Sequence, residues 1–182
     1  MLHPRIIPSL LIKDKGLGTP IATQIFIGTN GLYKVFPIIA STLDKLQLKI
    51  LDASLHTTIR DSLNEQVKET AFDIFYVVNQ DDKPFGENIK IVSQIKNALN
   101  EAFHDPEQTV LYPSRRIPQD LKQFSTMTNV VISTDLSRLS TTLEVITPDR
   151  PGLLLCLGQI FTKFKLQLIS AKISTLGERV ED

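Results

Sequence analysis

The sequence predicts an α+β fold made of two related strand–helix–strand units, on three observations. Short stretches alternate polar and apolar residues, the period of a half-buried strand. Between them run stripes of apolar residues at helical spacing. The whole pattern then returns 118 positions further along the chain.

Each element has its own signal. Residues 1–20 hold Pro4, Pro8, Gly16, Gly18 and Pro20 and read as an N-terminal arm with one short extended piece, Leu10-Leu11-Ile12. Thr23-Gln24-Ile25-Phe26-Ile27 alternates as a strand, then meets Gly28 and the Asn30-Gly31 turn signal. Leu32, Val35, Phe36, Ile39, Leu43 and Leu46 make one helical stripe. Pro37 lacks an N–H, so this helix is expected to start near Lys34 with Pro37 in its first turn. Leu48 to Leu55 alternates as a second strand, and the polar residues 59–69 read as a hairpin connection. Ala71 to Val78 is a third strand by its β-branched and aromatic content. After the turn at Asp81-Asp82-Lys83-Pro84, Ile91, Val92, Ile95, Leu99, Ala102 and Phe103 form a second helical stripe.

Residues 21–104 thus form a first unit of strand, helix, strand, strand, helix. A closing strand near 129–134, on Asn129-Val130-Val131-Ile132-Ser133, would make it βαββαβ. Residues 105–128 carry Pro106, Pro113 and Pro118 and read as a linker. A second unit occupies 140–182 and opens on the strand Thr141 to Ile146.

The repeat aligns strand, helix and strand without a gap. Ile25 falls on Leu143, Ile27 on Val145, Phe36 on Leu154, Ile39 on Leu157 and Leu43 on Phe161. Ile50 falls on Leu168, Ala53 on Ala171, Leu55 on Ile173 and Thr57 on Thr175. Two unrelated βαβ segments share such periodicity, but the identical small residues Ala53 and Ala171 favour duplication. The second copy stops after βαβ, so the chain is expected to be a fragment whose second unit leaves sheet edge exposed.

Composition narrows the function classes. Twenty basic and 20 acidic residues among 182 give a net charge of +0, with no cationic excess for a broad nucleic-acid footprint. The single cysteine, Cys156, excludes an internal disulfide and a multi-cysteine zinc site; it reads as a small packing residue. His3, His56 and His104 have no metal-ligand spacing. No apolar run reaches the ~20 residues of a membrane span, and Met1-Leu2-His3-Pro4-Arg5 lacks signal-peptide order. A cytoplasmic location without membrane or nucleic-acid partners is expected.

One segment carries chemistry. Pro148-Asp149-Arg150-Pro151-Gly152-Leu153-Leu154 joins strand to helix in the second unit. Pro151 suits the first helical position, and Gly152 permits close approach of a ligand. Free N–H groups at a helix start attract a carboxylate, while Asp149 can cap the helix or bind an ammonium. These groups fit an amino-acid pocket. They also fit a capped turn with no ligand.

The stretch Asp149-Arg150-Pro151-Gly152-Leu153-Leu154, preceded by Leu143-Glu144-Val145, resembles the first turn of an ACT domain. Ala171-Lys172-Ile173-Ser174-Thr175-Leu176-Gly177-Glu178-Arg179-Val180-Glu181-Asp182 and Arg115-Arg116-Ile117-Pro118-Gln119-Asp120-Leu121-Lys122-Gln123-Phe124 are similar to the C-terminal tandem ACT region of the bacterial bifunctional uridylyltransferase/uridylyl-removing enzymes. The resemblance implies tandem ferredoxin-like ACT units, the second truncated, that sense glutamine and regulate modification of the PII nitrogen-signalling protein. It implies ligand-binding residues Asp149, Arg150, Pro151, Gly152, Leu153 and Ser170. It also implies an interface near Asp52, Asn30, Gly31, Glu178 and Arg179, with ACT units pairing within or between chains. The family's nucleotidyltransferase and hydrolase domains are expected to use Mg; this segment has no catalytic motif of its own and needs no cofactor. His104-Asp105 reads as incidental. In the first unit Gly31-Leu32-Tyr33-Lys34-Val35 replaces Asp149 to Leu153, without the aspartate and with Lys34 for Gly152.

Other readings keep the same strand order. The chain could be the ACT sensor of another enzyme or a stand-alone small-molecule binder. An RNA-binding sheet would stack bases on aromatics, for which only Phe72, Phe75 and Tyr76 offer themselves, without a Gly-rich basic strand. An acylphosphatase-like enzyme would need an Arg/Asn pair in a Gly-rich loop, which the sequence lacks.

Overall fold

Alternation places Ile25, Ile27, Ala53, Leu55, Phe75 and Val77 on one face of a sheet, and all six are buried. The computed structural model describes residues 8–16, 21–30, 35–60, 68–105, 128–137, 139–150 and 152–175. Their order is β1 (Ser9–Gly16), β2 (Ile21–Asn30), α1 (Val35–Lys45), β3 (Lys49–Arg60), β4 (Lys68–Val78), α2 (Ile89–His104), β5 (Asn129–Asp135), β6 (Ser140–Ile146), α3 (Leu153–Lys163) and β7 (Ser170–Ser174). The fold is α+β. One five-stranded sheet runs β1-β2-β4-β3-β7, and β5 and β6 form a second sheet.

The helical stripes land on the inner face of the larger sheet. Phe36, Ile39 and Leu43 of α1 and Ile95, Leu99 and Phe103 of α2 join the sheet residues in one core. Helix α1 starts at Val35, with Pro37 in its first turn as expected. Asn88 caps α2 by accepting the Ile91 N–H at 3.2 Å. The hairpin connection is shorter than the polar composition suggested, because β3 runs to Arg60 and β4 begins at Lys68. The expected linker falls, over 106–127, outside the described residues.

The closing strand is the main correction. Residues 129–135 do not join the first unit; they pair antiparallel with β6, Ile132 opposite Leu143. The place beside β2 is taken by β1, from the region read as an arm, with Ile12 opposite Ile25. Leu10 and Ile12 pack against the core, while Leu11 points out and is 53% exposed. A polar network fixes β1. The Asp14 carboxylate accepts the Thr23 hydroxyl and the Gly86 N–H, both at 2.6 Å. The Thr23 hydroxyl in turn accepts the Phe85 N–H at 2.7 Å. Each unit therefore opens with a strand in the position reserved for a closing strand, β1 beside β2 and β5 beside β6.

The duplication is visible in backbone geometry. Both repeated helices end on a non-glycine residue with positive φ, Gln47 at 59° and Lys165 at 54°. Leu48 donates its N–H to the Leu43 carbonyl and Leu166 donates to Phe161, at 3.0 and 2.8 Å. These bonds satisfy carbonyls that the helix end would leave free. The second unit is more open than the first. Leu143 is 41% exposed where its counterpart Ile25 is fully buried. Strand β4 lies between β2 and β3, but no described strand lies between β6 and β7.

Candidate functional site

The strand-to-helix connection of the second unit runs from Thr147 to Gly152. Strand β6 ends at Ile146 and α3 begins at Leu153, after both Pro151 and Gly152. Gly152 is the N-cap and takes the left-handed conformation, φ 76°. That conformation is strained for any side chain, which gives the glycine its local reason. The Gly152 carbonyl accepts the Cys156 N–H at 2.9 Å, and the Leu153 N–H donates to the Arg150 carbonyl at 3.1 Å.

Among the described residues no side chain caps this helix. The sequence offered Asp149 for that role; the structure leaves Asp149 exposed and gives the cap position to a residue without a side chain. Arg150 is also exposed, and Leu153 is half-buried. The start of α3 thus presents backbone N–H groups, preceded in the chain by one exposed carboxylate and one exposed guanidinium. Such a set can hold a zwitterion, carboxylate toward the helix and ammonium toward Asp149. Pro151 lies outside the described residues.

Ser170 is not brought to this loop. It opens β7, beyond the far end of α3, an 11-residue helix spanning about 16 Å. Ser170 pairs with His56 instead, and Asp52 pairs with Ser174. The repeat aligns Asp52 with Ser170, but antiparallel pairing sets them at opposite ends of the shared stretch. Asn30 is exposed at the end of β2. Gly31, Glu178 and Arg179 lie outside the described residues.

Strands β3 and β7 join the two units edge to edge. The Thr57 N–H donates to the Ile169 carbonyl and the Thr175 N–H to the Leu51 carbonyl, both at 2.8 Å. Behind the strands α1 packs on α3. Gly158 is buried there, and a Cβ on it would lie 2.8 Å from the Pro37 Cβ. The Phe36 and Phe161 rings sit 6.5 Å apart in the same layer. Cys156 is a half-buried free thiol.

Sequence reasoning missed Asp73. It occupies an inward position between Ala71 and Phe75, is 3% exposed, and sits opposite Ile27 and Leu55. Burial pushes its carboxyl up to about 7, against a smaller lowering by the His56 backbone N–H. The signal was present: an acid at an apolar phase of an alternating strand. The aromatics divide by the same phase. Phe75 faces the core, while Phe72 is on the open face and stacks with Phe26 at 6.2 Å. Among the described residues no group of three or more His, Cys, Asp or Glu is placed to hold a metal. No described helix is long and apolar enough to cross a membrane.

Comparison with known proteins identifies relatives among bacterial enzymes. The chain is 38% identical over 160 residues to the bifunctional uridylyltransferase/uridylyl-removing enzyme of Pseudomonas savastanoi pv. phaseolicola. It is 39% identical over 160 residues to that of Pseudomonas putida strain W619, and 38% over 161 residues to that of Azotobacter vinelandii. Each match covers 88% of this chain and 17% of the relative. The chain is therefore homologous to one part of these enzymes and spans about 17% of their length. No family model and no solved structure matches it.

Proposed function

We propose that the chain is the amino-acid-sensing regulatory part of a uridylyltransferase/uridylyl-removing enzyme, with glutamine as effector. The observation that carries this reading is the Asp149–Leu153 connection, in a chain homologous to a segment of those enzymes. The half-buried start of α3 offers N–H donors to a carboxylate, and the exposed Asp149 offers a counter-charge to an ammonium. Arg150 adds a donor for a side-chain amide. The β3–β7 junction supplies a route for coupling, because it ties the loop-bearing unit to the first unit through backbone bonds. That junction supports reading the two halves as paired ACT units within one chain.

On this reading the segment acts in the cytoplasm and the catalytic work belongs to other parts of the enzyme, where Mg is expected. Glutamine binding shifts the balance between uridylyl transfer to PII and its reversal. Effector binding must favour one arrangement of the junction over another, since only differential affinity moves such a balance. Calorimetric titration of the chain with L-glutamine tests the reading. Saturable heat in the native chain, weakened several-fold to about a hundredfold in Asp149→Ala, is expected. Absence of heat with glutamine overturns it.

A further inference from the structure

All seven residues of β5 are exposed, and among the described strands its one neighbour is β6. The duplication gives β5 a counterpart, since it flanks β6 as β1 flanks β2. The two outer edges are built differently. Strand β1 carries exposed Lys13 and Lys15 around an inward Asp14, and its Leu10 and Ile12 pack on the core. Charges placed in this way discourage another strand from adding to an edge. Strand β5 reads Asn129-Val130-Val131-Ile132-Ser133-Thr134-Asp135, with no charge before its last residue, no proline and no glycine. Val130 and Ile132 hold the register positions of Leu10 and Ile12, yet they are 49% and 66% exposed. An uncharged, β-branched run on an open edge is a template for a further strand. A two-stranded sheet is also marginal in water, and added strands stabilise it.

We infer that the outer edge of β5 is a dimerisation surface, where it pairs antiparallel with β5 of a second copy of the chain about a two-fold axis at Ile132. The sequence of the strand selects both occupant and register. The face that carries Val130 and Ile132 stays continuous across the axis only if each residue meets one of the same alternation phase. Among such registers, the axis at Ile132 pairs all seven residues, and moving it to Val131 or Ser133 leaves two residues of each strand unmatched. With the axis at Ile132, that residue faces its own image and Val130 faces Thr134, β-branched pairs of the kind that stabilise a sheet. Asp135, the one charge in the strand, faces Asn129 rather than a second carboxylate. The row formed by Leu143 and Ile132 then continues into the same residues of the second copy, in a four-stranded sheet. Such a contact is self-complementary and closes at two copies. The pairing needs nothing from the Asp149 loop.

Sedimentation equilibrium of the whole chain over a range of concentrations tests it. A monomer–dimer equilibrium is expected, with hydrogen exchange at the Val130 to Thr134 amides slowing as the dimer fills. Ile132→Lys sets two ammonium groups opposite each other at the axis and should weaken the dimer about tenfold. Ile132 is already exposed, so the substitution leaves the fold of the single chain intact. Ile132→Glu should weaken the dimer in the same way. Mixed in equal amounts, the two variants place opposite charges across the axis and should recover a dimer containing one of each. Leu11→Lys, on the charged edge of β1, should leave the native dimer unchanged. A chain that is monomeric at every concentration, or that forms assemblies larger than two, overturns the inference. So does a dimer that ignores both Ile132 substitutions, one that Leu11→Lys dissociates, or a mixture of the two Ile132 variants that stays monomeric.

Discussion

Ser54 lies directly opposite Lys172, its own counterpart in the duplication. The pairing of β3 with β7 is thus a local two-fold: Ala53 faces Ile173 as Leu55 faces Ala171. The matched bonds from Thr57 to Ile169 and from Thr175 to Leu51 bracket the same axis. Such self-complementary contact is the geometry of a symmetric dimer, here made within one chain. Behind the strands α1 packs on α3, where Gly158 lets the helices approach at Pro37, and the duplication sets the small residue Ala40 at the position equivalent to Gly158.

Gly158→Leu tests that closeness. Even one added carbon would press on Pro37. Overpacking of this kind costs about 1–3 kcal/mol. Urea unfolding should show the loss, and hydrogen exchange should quicken at the Thr57 and Thr175 amides. Unchanged exchange at both amides would count against the α1–α3 contact as a support of the junction.

Asp14→Ala tests the role of β1 as a true strand of the first unit. The substitution leaves the Thr23 hydroxyl and the Gly86 N–H without their acceptor. About 1–3 kcal/mol of stability should go, with exchange protection falling along Leu10–Ile12. If protection there is absent in the native chain, the pairing of β1 with β2 is wrong.

Asp73→Asn tests the buried carboxyl through pH. The ordinary value is 3.8 and burial raises it to about 7 in the folded chain. Between those values the folded form holds a proton that the unfolded form has lost. Stability therefore falls as pH rises from about 4 to about 7 and levels off above. The span is at most about 4 kcal/mol, less where water relaxes into the site. Asparagine has no such proton, so its denaturation midpoints at about pH 5 and about pH 8 should lie closer together. A native profile flat over that window would refute the assignment.

Much of this fold was legible because the strong signals are local. The stripe from Val35 to Leu43 and the alternation from Ala71 to Val77 each fix which side chains face inward, and the structure follows both. Partner choice between strands is not local. Strand β1 was hidden between Pro8 and Gly16, with only Leu10 and Ile12 to mark its buried face. Its likeness to β5 was hidden too, because Ile12 and Ile25 are 13 positions apart while Ile132 and Leu143 are 11 apart. The repeat therefore drifts out of step just where it would have revealed the correct role of β5. At the candidate site, the turn around Gly152 was readable from composition. The separation of Ser170 from it was not, since that depends on the direction of β7 after α3.

The most direct test of the account is an amide NMR titration of the chain with L-glutamine. Saturable shifts centred on the Gly152 and Leu153 amides, absent with glutarate, which lacks the ammonium, are the predicted result. Spectra in which those two resonances stay fixed through the titration would contradict it.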